Sequence, residues 1–314
     1  MLSCDWTYRA LISDTDILRH FKAIKQFSKG SHRAPHKPLL LLMRLAAAQQ
    51  GQPRMAHYSE IEPQLECLLQ EYNRPIKGNK QNPQNPFWYL KNDQGPIWDI
   101  AQREALERTI TPNSDIPGLG VLRNTDPQAG LTSEIYDRLR SNPNLLAQVA
   151  RMLLSKHFPQ SLHVDILSEI GLDLDHDVEP AITATRSRDP KFRYDVIKAY
   201  RHRCAVCGYD GRLGHADIGL EAAHVKWHAF GGEDAAHNGL ALCSLHHKLF
   251  DHGAIGLSPD YKIRVSDLVN GSSESLQSQV LRFKDQEAAL PIHKSDYVLA
   301  SNIEWHTNEV FKAA

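Results

Sequence analysis

The feature that most constrains this chain lies past its midpoint. Two residues separate Cys204 from Cys207, and two separate Cys243 from His246. Pairs of soft ligands at that spacing suit a tetrahedral zinc ion, because each short turn grips the metal from one side. Four protein ligands leave no position for water, so the zinc expected here is structural. Cys243 and His246, three apart, fall on one face of a helix. Cys4 and Cys67 bring the cysteine total to five, an odd number that argues against a secreted disulfide framework and for a reducing compartment. A cytoplasmic location is the expectation. No apolar run approaches the roughly 18 residues of a membrane span; the longest, Leu39–Met43, is broken by Arg44. The amino terminus lacks the basic-then-apolar order of a signal peptide.

A second histidine follows the zinc ligand. His247 stands about 100° farther around the helix and so points away from the metal. It shares a face with Asp251, four residues on. Upstream, "GLEAAHV" reads as a strand ending near His224, and "HNGLALC" puts Asn238 at the head of the helix that follows.

The order His224, Asn238, His247, together with CxxC, "EAAHV", "NGLAL" and "CSLHHKLFDHG", resembles the HNH nuclease family over about residues 191–265. The resemblance implies a ββα-metal fold and metal-dependent hydrolysis of a phosphodiester. His224 would be the general base, a role that suits an imidazole titrating near neutrality. Asn238 would orient that base through backbone hydrogen bonds. His247 would hold a catalytic Mg2+ or Mn2+, with Asp251 as second ligand, and the ion would stabilise the departing oxygen. One position departs from the family: Ala223 stands where many members carry a metal-binding Asp or His. Either Glu221 or the backbone takes its place, or the metal is held more weakly. One of the adjacent histidines is thus expected to hold the fold together and the other to do chemistry.

The first half of the chain is helical and basic. Ile17, Leu18, Phe21, Ile24 and Phe27 recur at helical spacing. Pro38 followed by "LLLLMRLAAA" reads as a buried helix, and Ile61, Leu65, Leu68, Leu69 and Tyr72 mark another. Asn142–Pro143 starts a further helix, with Asn142 as its cap. "PFWYL" reads as an aromatic knot and "GPIWDI" as a short strand facing it. The net charge is only −1, yet no acidic residue lies between Asp16 and Glu60, nor between Glu71 and Asp93. Two such windows in one domain point to an anionic partner.

"SHRAPHKPLLLL" and "NPFWYL" resemble the sulfur-binding domain of McrA-type restriction endonucleases, over about residues 10–165. The resemblance implies a reader of phosphorothioated DNA. Sulfur is larger, softer and less hydrated than the oxygen it replaces, so an apolar pocket with a cationic rim favours it. Pro86, Phe87 and Tyr89 are expected in the wall, with His32, Arg33, His36 and Lys37 at the rim and base edges. Lys22, Lys25, Lys29, Lys77 and Lys80 are expected to contact phosphates.

The fold expected is α+β: a mainly helical DNA-reader domain over 1–168, a linker over 169–190 and an HNH nuclease domain with structural zinc over 191–314. The function expected is a modification-dependent type IV restriction endonuclease acting on double-stranded, phosphorothioated DNA. Two alternatives stay open. The reader recognises a modified base such as methylcytosine, flipped between Phe87, Trp88 and Tyr89, or the chain is a zinc-stabilised DNA-binding protein without catalysis. Cutting both strands with one site per chain calls for a homodimer, with residues 276–311 as the expected contact.

Overall fold

The computed structural model describes residues 12–29, 32–73, 81–174 and 190–313. The first part runs α1 (Asp14–Lys22), β1 (Ser28–Lys29), β2 (His32–Arg33), α2 (His36–Gln49), β3 (Met55–His57), α3 (Tyr58–Tyr72) and α4 (Gln84–Tyr89). It continues with β4 (Trp98–Ile100), α5 (Arg103–Glu107), α6 (Leu119–Thr125), β5 (Gln128–Leu131), α7 (Ser133–Ser141), α8 (Pro143–His157) and α9 (Gln160–Ile170). The second part comprises α10 (Pro190–Ala199), β6 (Arg212–Leu213), β7 (Ala216–Asp217), β8 (Leu220–His224), β9 (Gly239–Cys243), α11 (Ser244–Asp251), β10 (Ile255–Leu257), β11 (Ile263–Val265), α12 (Glu274–Gln279) and α13 (Ala300–Glu309).

Helix α2 is the axis of the first part. Every residue from Pro38 to Ala48 is buried, as a helix apolar on all sides must be. Pro38 sits in its first turn, where backbone N–H groups have no helical partner to lose. The same reasoning explains an element that differs from expectation. "NPFWYL" is not an irregular knot but α4 and a following 3-10 turn, with Pro86 again in the first turn. Helix α1 also stops earlier than its apolar spacing suggests. It ends at Lys22, the Lys25 N–H goes to Asp93 Oδ1 at 3.0 Å, and Phe27 is left 68% exposed. Helix α8 begins as expected, the Asn142 side chain accepting from the Leu145 N–H at 3.1 Å. A small antiparallel sheet in the order β3-β5-β4 closes one side. The apolar core of this part includes Leu172 and Leu174, beyond the boundary expected at residue 168; residues 175–189 of the expected linker lie outside the described residues.

The second part has its own core. Strands β8 and β9 pair antiparallel, with Leu220 opposite Cys243 and His224 opposite Gly239. Helix α10 lies so close to this ribbon that a Cβ on Gly239 would sit 2.3 Å from Val196 Cγ2. The carboxy-terminal segment wraps back onto the same domain. Ala289 N–H bonds to Ala205 O and Ile292 N–H to Ala199 O, and Phe283, Val298 and Ile303 enter the core. Residues 276–311 are therefore largely used within the chain, leaving Leu290, Ile292 and Leu299 exposed. The two parts touch where α9 meets α11 and where α8 meets the turn His228–Phe230. No described helix is long and apolar enough to cross a membrane.

Candidate functional site

Cys204 and Cys207 lie on a tight turn after α10, closed by the Gly208 N–H on Cys204 O at 2.9 Å. Gly208 has φ +74°, a conformation that a side chain rarely adopts. Strand β9 ends at Cys243, which caps α11, and His246 follows in the first turn. The four ligand atoms lie within 4.8 Å of one another. Cys204 Sγ is 3.7 Å and Cys243 Sγ 3.1 Å from His246 Nδ1, and Cys207 Sγ is 3.9 Å from Cys243 Sγ. A tetrahedron with zinc–sulfur bonds of about 2.3 Å has ligand–ligand edges near 3.8 Å, so the cluster fits such an ion. His246 Nε2 donates to Gln279 O at 2.8 Å, which orients the ring and leaves Nδ1 for the metal. Hydrogen bonds from Cys207 and Cys243 hold the Cys204 thiol far below its ordinary value. Among the described residues, three or more such ligand atoms converge only here.

The other candidate chemistry sits at the opposite end of β8. His224 ends the strand, stacks on Phe192 with ring centroids 4.0 Å apart, and places Nε2 2.8 Å from Asp234 Oδ1. The strand's alternation puts His224 on the face that α10 covers and Glu221 on the face that α11 covers. His247, 2% exposed, stands between two carboxylates. Its Nδ1 is 2.5 Å from Glu221 Oε2 and its Nε2 is 3.1 Å from Asp251 Oδ2. Glu221 keeps 40% of its side chain exposed, whereas Asp251 is buried. Burial alone would raise the Asp251 carboxyl, but hydrogen bonds from His247 and Ser161 outweigh it and lower its pKa.

Asp251, expected as a ligand beside His247, faces its Nε2, whereas Glu221 faces its Nδ1, so a single cation on this ring would meet only one of the two carboxylates. Glu221 lies on the same strand face as Ala223, two residues away, and offers the carboxylate which that alanine lacks. Glu221 and His247 Nδ1 are in direct hydrogen-bond contact at 2.5 Å, with Glu221 on the partly exposed side of the ring. Asn238 is not at the head of a helix; it closes a 3-10 turn just before β9. Fully buried, it accepts from the Lys226 N–H and donates to Lys226 O and Glu233 O, all at 2.9 Å. It thereby clamps the loop that follows His224.

In the first part, the fold brings β1–β2, the start of α2 and the segment from Gln81 to Asp93 together. His36 Nε2 bonds to Gln81 O at 2.7 Å, and Lys37 Nζ lies 2.6 Å from Asp93 Oδ2. Lys37, expected at a DNA-facing rim, is thus spent on a carboxylate whose side chain is only 2% exposed. Phe87, expected in a ligand pocket, is fully buried and packs edge-on against Tyr58 at 5.0 Å. Trp88 is 1% exposed and Pro86 is buried as well. Tyr89 remains half-buried, its hydroxyl pushed up to about 12 by burial and then by Asp115. His32 and Arg33 form β2, Lys22 and Lys25 are exposed, and Lys77 and Lys80 lie outside the described residues.

Asp93, Asp234 and Ser161 join these sites without having stood out in the sequence. Asp93 carried a usable signal, since the acid that ends a long acid-free basic window is a natural internal counter-ion. Asp234 and Ser161 carried none beyond their side-chain chemistry.

Residues 14–175 match the family model for the ScoMcrA-like DNA sulfur-binding domain, and residues 204–258 match that for HNH endonucleases. The first match spans more than half of the chain, which therefore belongs to the ScoMcrA-like sulfur-binding family and carries an HNH endonuclease domain behind it. Among solved structures, the chain is similar to the sulfur-binding domain of ScoMcrA complexed with phosphorothioated DNA, at 28% identity, 49% of this chain, 94% of that one and TM-score 0.43. It is similar to the type IV phosphorothioation-dependent restriction endonuclease ScoMcrA at 29% identity, 49% of this chain, 32% of that one and TM-score 0.41. The sulfur-binding domain of SprMcrA complexed with phosphorothioated DNA gives 20% identity, 51% of this chain, 95% of that one and TM-score 0.40. The match thus spans about a third of that restriction endonuclease chain. No curated protein matches.

Proposed function

We propose that this chain is a modification-dependent restriction endonuclease that reads phosphorothioated DNA with residues 14–175 and cuts phosphodiester bonds with its HNH domain. The observation that carries the reading is the presence, in one chain, of a sulfur-binding family domain and the arrangement of His224, Asn238 and the Glu221–His247 pair. The Cys204, Cys207, Cys243 and His246 cluster would hold a structural zinc, and Glu221 and His247 would hold Mg2+ or Mn2+.

His224 takes the proton of the attacking water, and the Asp234 carboxylate beside Nε2 stabilises the imidazole as it gains charge. Phe192 keeps the ring in place by stacking. Asn238 fixes the loop after His224 and so the direction from which the base is presented. The divalent ion, when bound, supplies Lewis-acid stabilisation of the phosphoryl and leaving oxygens. In the reader, Arg33 and His32 on β2, with His36 at the start of α2, serve the rim and base edges. Lys22, Lys25, Lys29, Lys77 and Lys80 serve the phosphates. Tyr89 is the aromatic of "PFWYL" that remains for a pocket wall. A base flipped between Phe87, Trp88 and Tyr89 is disfavoured, because Phe87 and Trp88 belong to the core. The protein acts in the cytoplasm, and a homodimer supplies the second strand cut.

The test is cleavage of two duplex pools, identical except for phosphorothioation, with Mg2+ or Mn2+ and with His224→Ala as control. Cutting of the sulfur-bearing pool alone, lost in His224→Ala while binding persists, is expected. Equal cutting of both pools would sink the sulfur reading and keep the nuclease. Binding without cutting under any divalent ion would favour a DNA-binding protein without catalysis. Nicks alone from a monomeric complex would exclude the dimer.

A further inference from the structure

The nuclease helix α11 rests on the sulfur-binding domain. Ser161, in the first turn of α9, donates its hydroxyl to Asp251 Oδ2, the oxygen that also faces His247 Nε2 at 3.1 Å. The contact is flanked on both sides. Lys248 Nζ reaches Ser161 O at 2.6 Å and pairs with Asp165, and His252 Nε2 lies 2.9 Å from Asp165 Oδ2. A second contact braces the loop after His224. Trp227 packs against the core of the first domain, and the turn His228–Phe230 lies against α8. Both elements that carry the nuclease chemistry therefore lean on the α8–α9 pair of the reader.

We propose that Ser161, a residue of the sulfur-binding domain, is a positioning residue for the nuclease, acting through Asp251 on the orientation of His247. This rests on the reading of Glu221 and His247 as the divalent-cation pair. Asp251 is 3% exposed, so a lost hydroxyl is not replaced by bulk water, and the carboxylate must turn to satisfy itself elsewhere. His247 takes its ring orientation from that carboxylate, and its other nitrogen meets Glu221. A ligand imidazole depends on the partner of its second nitrogen, and losing such a partner typically costs 10–100-fold in metal affinity or activity. Ser161 stands one bond farther out, so the lower end of that range is expected. Because the hydroxyl comes from the reader, a movement of α9 when the reader engages DNA would reach His247 through this contact.

The experiment uses the full chain with its zinc retained and compares Ser161→Ala, Ser161→Val and Ser161→Thr with the wild type. Mn2+ affinity is measured directly by electron paramagnetic resonance in the absence of DNA. Affinity for phosphorothioated duplex is measured without divalent ion, and kcat and KM are measured for cleavage. Threonine and valine share a shape and differ in the hydroxyl, which separates the hydrogen bond from packing. The expected result is about tenfold weaker Mn2+ binding in the Ala and Val variants. A matching rise in the Mn2+ needed for half-maximal cutting, unchanged DNA affinity and rescue by Thr are expected with it. Wild-type Mn2+ affinity in both Ala and Val variants would overturn the proposal, as would equal losses in Thr and Val. A wild type that binds Mn2+ but never cuts would sink the nuclease reading, while the Mn2+ comparison would still judge Ser161.

Discussion

Replacing Asn238 by alanine removes three hydrogen bonds from a side chain with no solvent exposure. At a net value of about 1 kcal/mol each, the loss is about 3 kcal/mol. The atoms left behind are the Lys226 N–H, Lys226 O and Glu233 O, all in one loop. That loop has little room to rearrange, since a Cβ on Gly232 would already sit 1.8 Å from Lys226 O and 2.8 Å from Asn238 Nδ2. At roughly 4 °C per kcal/mol for a domain of this size, the nuclease transition should fall by about 12 °C in calorimetry of the full chain. Asn238→Asp is the sharper variant. It keeps the acceptor for Lys226 N–H but turns a carboxylate oxygen toward two carbonyl oxygens, so it should be at least as destabilising at pH 7. Its deficit should shrink as the pH falls and the carboxyl regains a donor. If Asn238→Ala melts within about 1 kcal/mol of the wild type and yet cannot cut, the loop-clamp argument is wrong and Asn238 acts on substrate directly.

Three further outcomes follow from the geometry. Elemental analysis should find one zinc per chain, and Cys243→Ser or chelation should release it and unfold the nuclease domain first; a fully folded, metal-free domain would refute the cluster. Burial pushes the His306 imidazole down to about 4 from 6.5. The unfolded chain therefore binds a proton that the folded one refuses, so this group's stabilisation is complete above about pH 6.5. It is lost as the pH falls toward 4, by about 3 kcal/mol in all, and denaturation against pH should show a flatter slope in His306→Gln. Asp93→Ala strands Lys37 and the Lys25 N–H, at a cost of about 3 kcal/mol in denaturant unfolding; a loss under 1 kcal/mol would return Lys37 to the list of free DNA contacts.

Much of the candidate site was legible because it is local. The two x2 pairs of Cys204–Cys207 and Cys243–His246, the separation of His246 from His247 around one helix turn, and the Asn142 cap all follow from spacing along the chain. So does the burial of α2, whose apolar residues leave no face for water. The helix over Gln84–Tyr89 was hidden by its prolines, which read as turns unless they are placed in the first turn of a helix.

What the sequence by itself determined is the four-residue cluster of Cys204, Cys207, Cys243 and His246, the buried helices α2, α3 and α8, and the nomination of His224, Asn238 and His247 as candidates for the chemistry. Tertiary structure decided which charges were already spent and which carboxylate faces which nitrogen. Lys37 meets Asp93 across 56 residues of chain, and Ser161 meets Asp251 across 90. A periodic pattern reports which residues share a face of one element, since backbone geometry repeats at 3.6 or 2 residues. It carries no information on which face of another element will cover them. Asp251 shows the difference: its spacing places it beside His247, and only the tertiary structure shows that α9 covers it with Ser161.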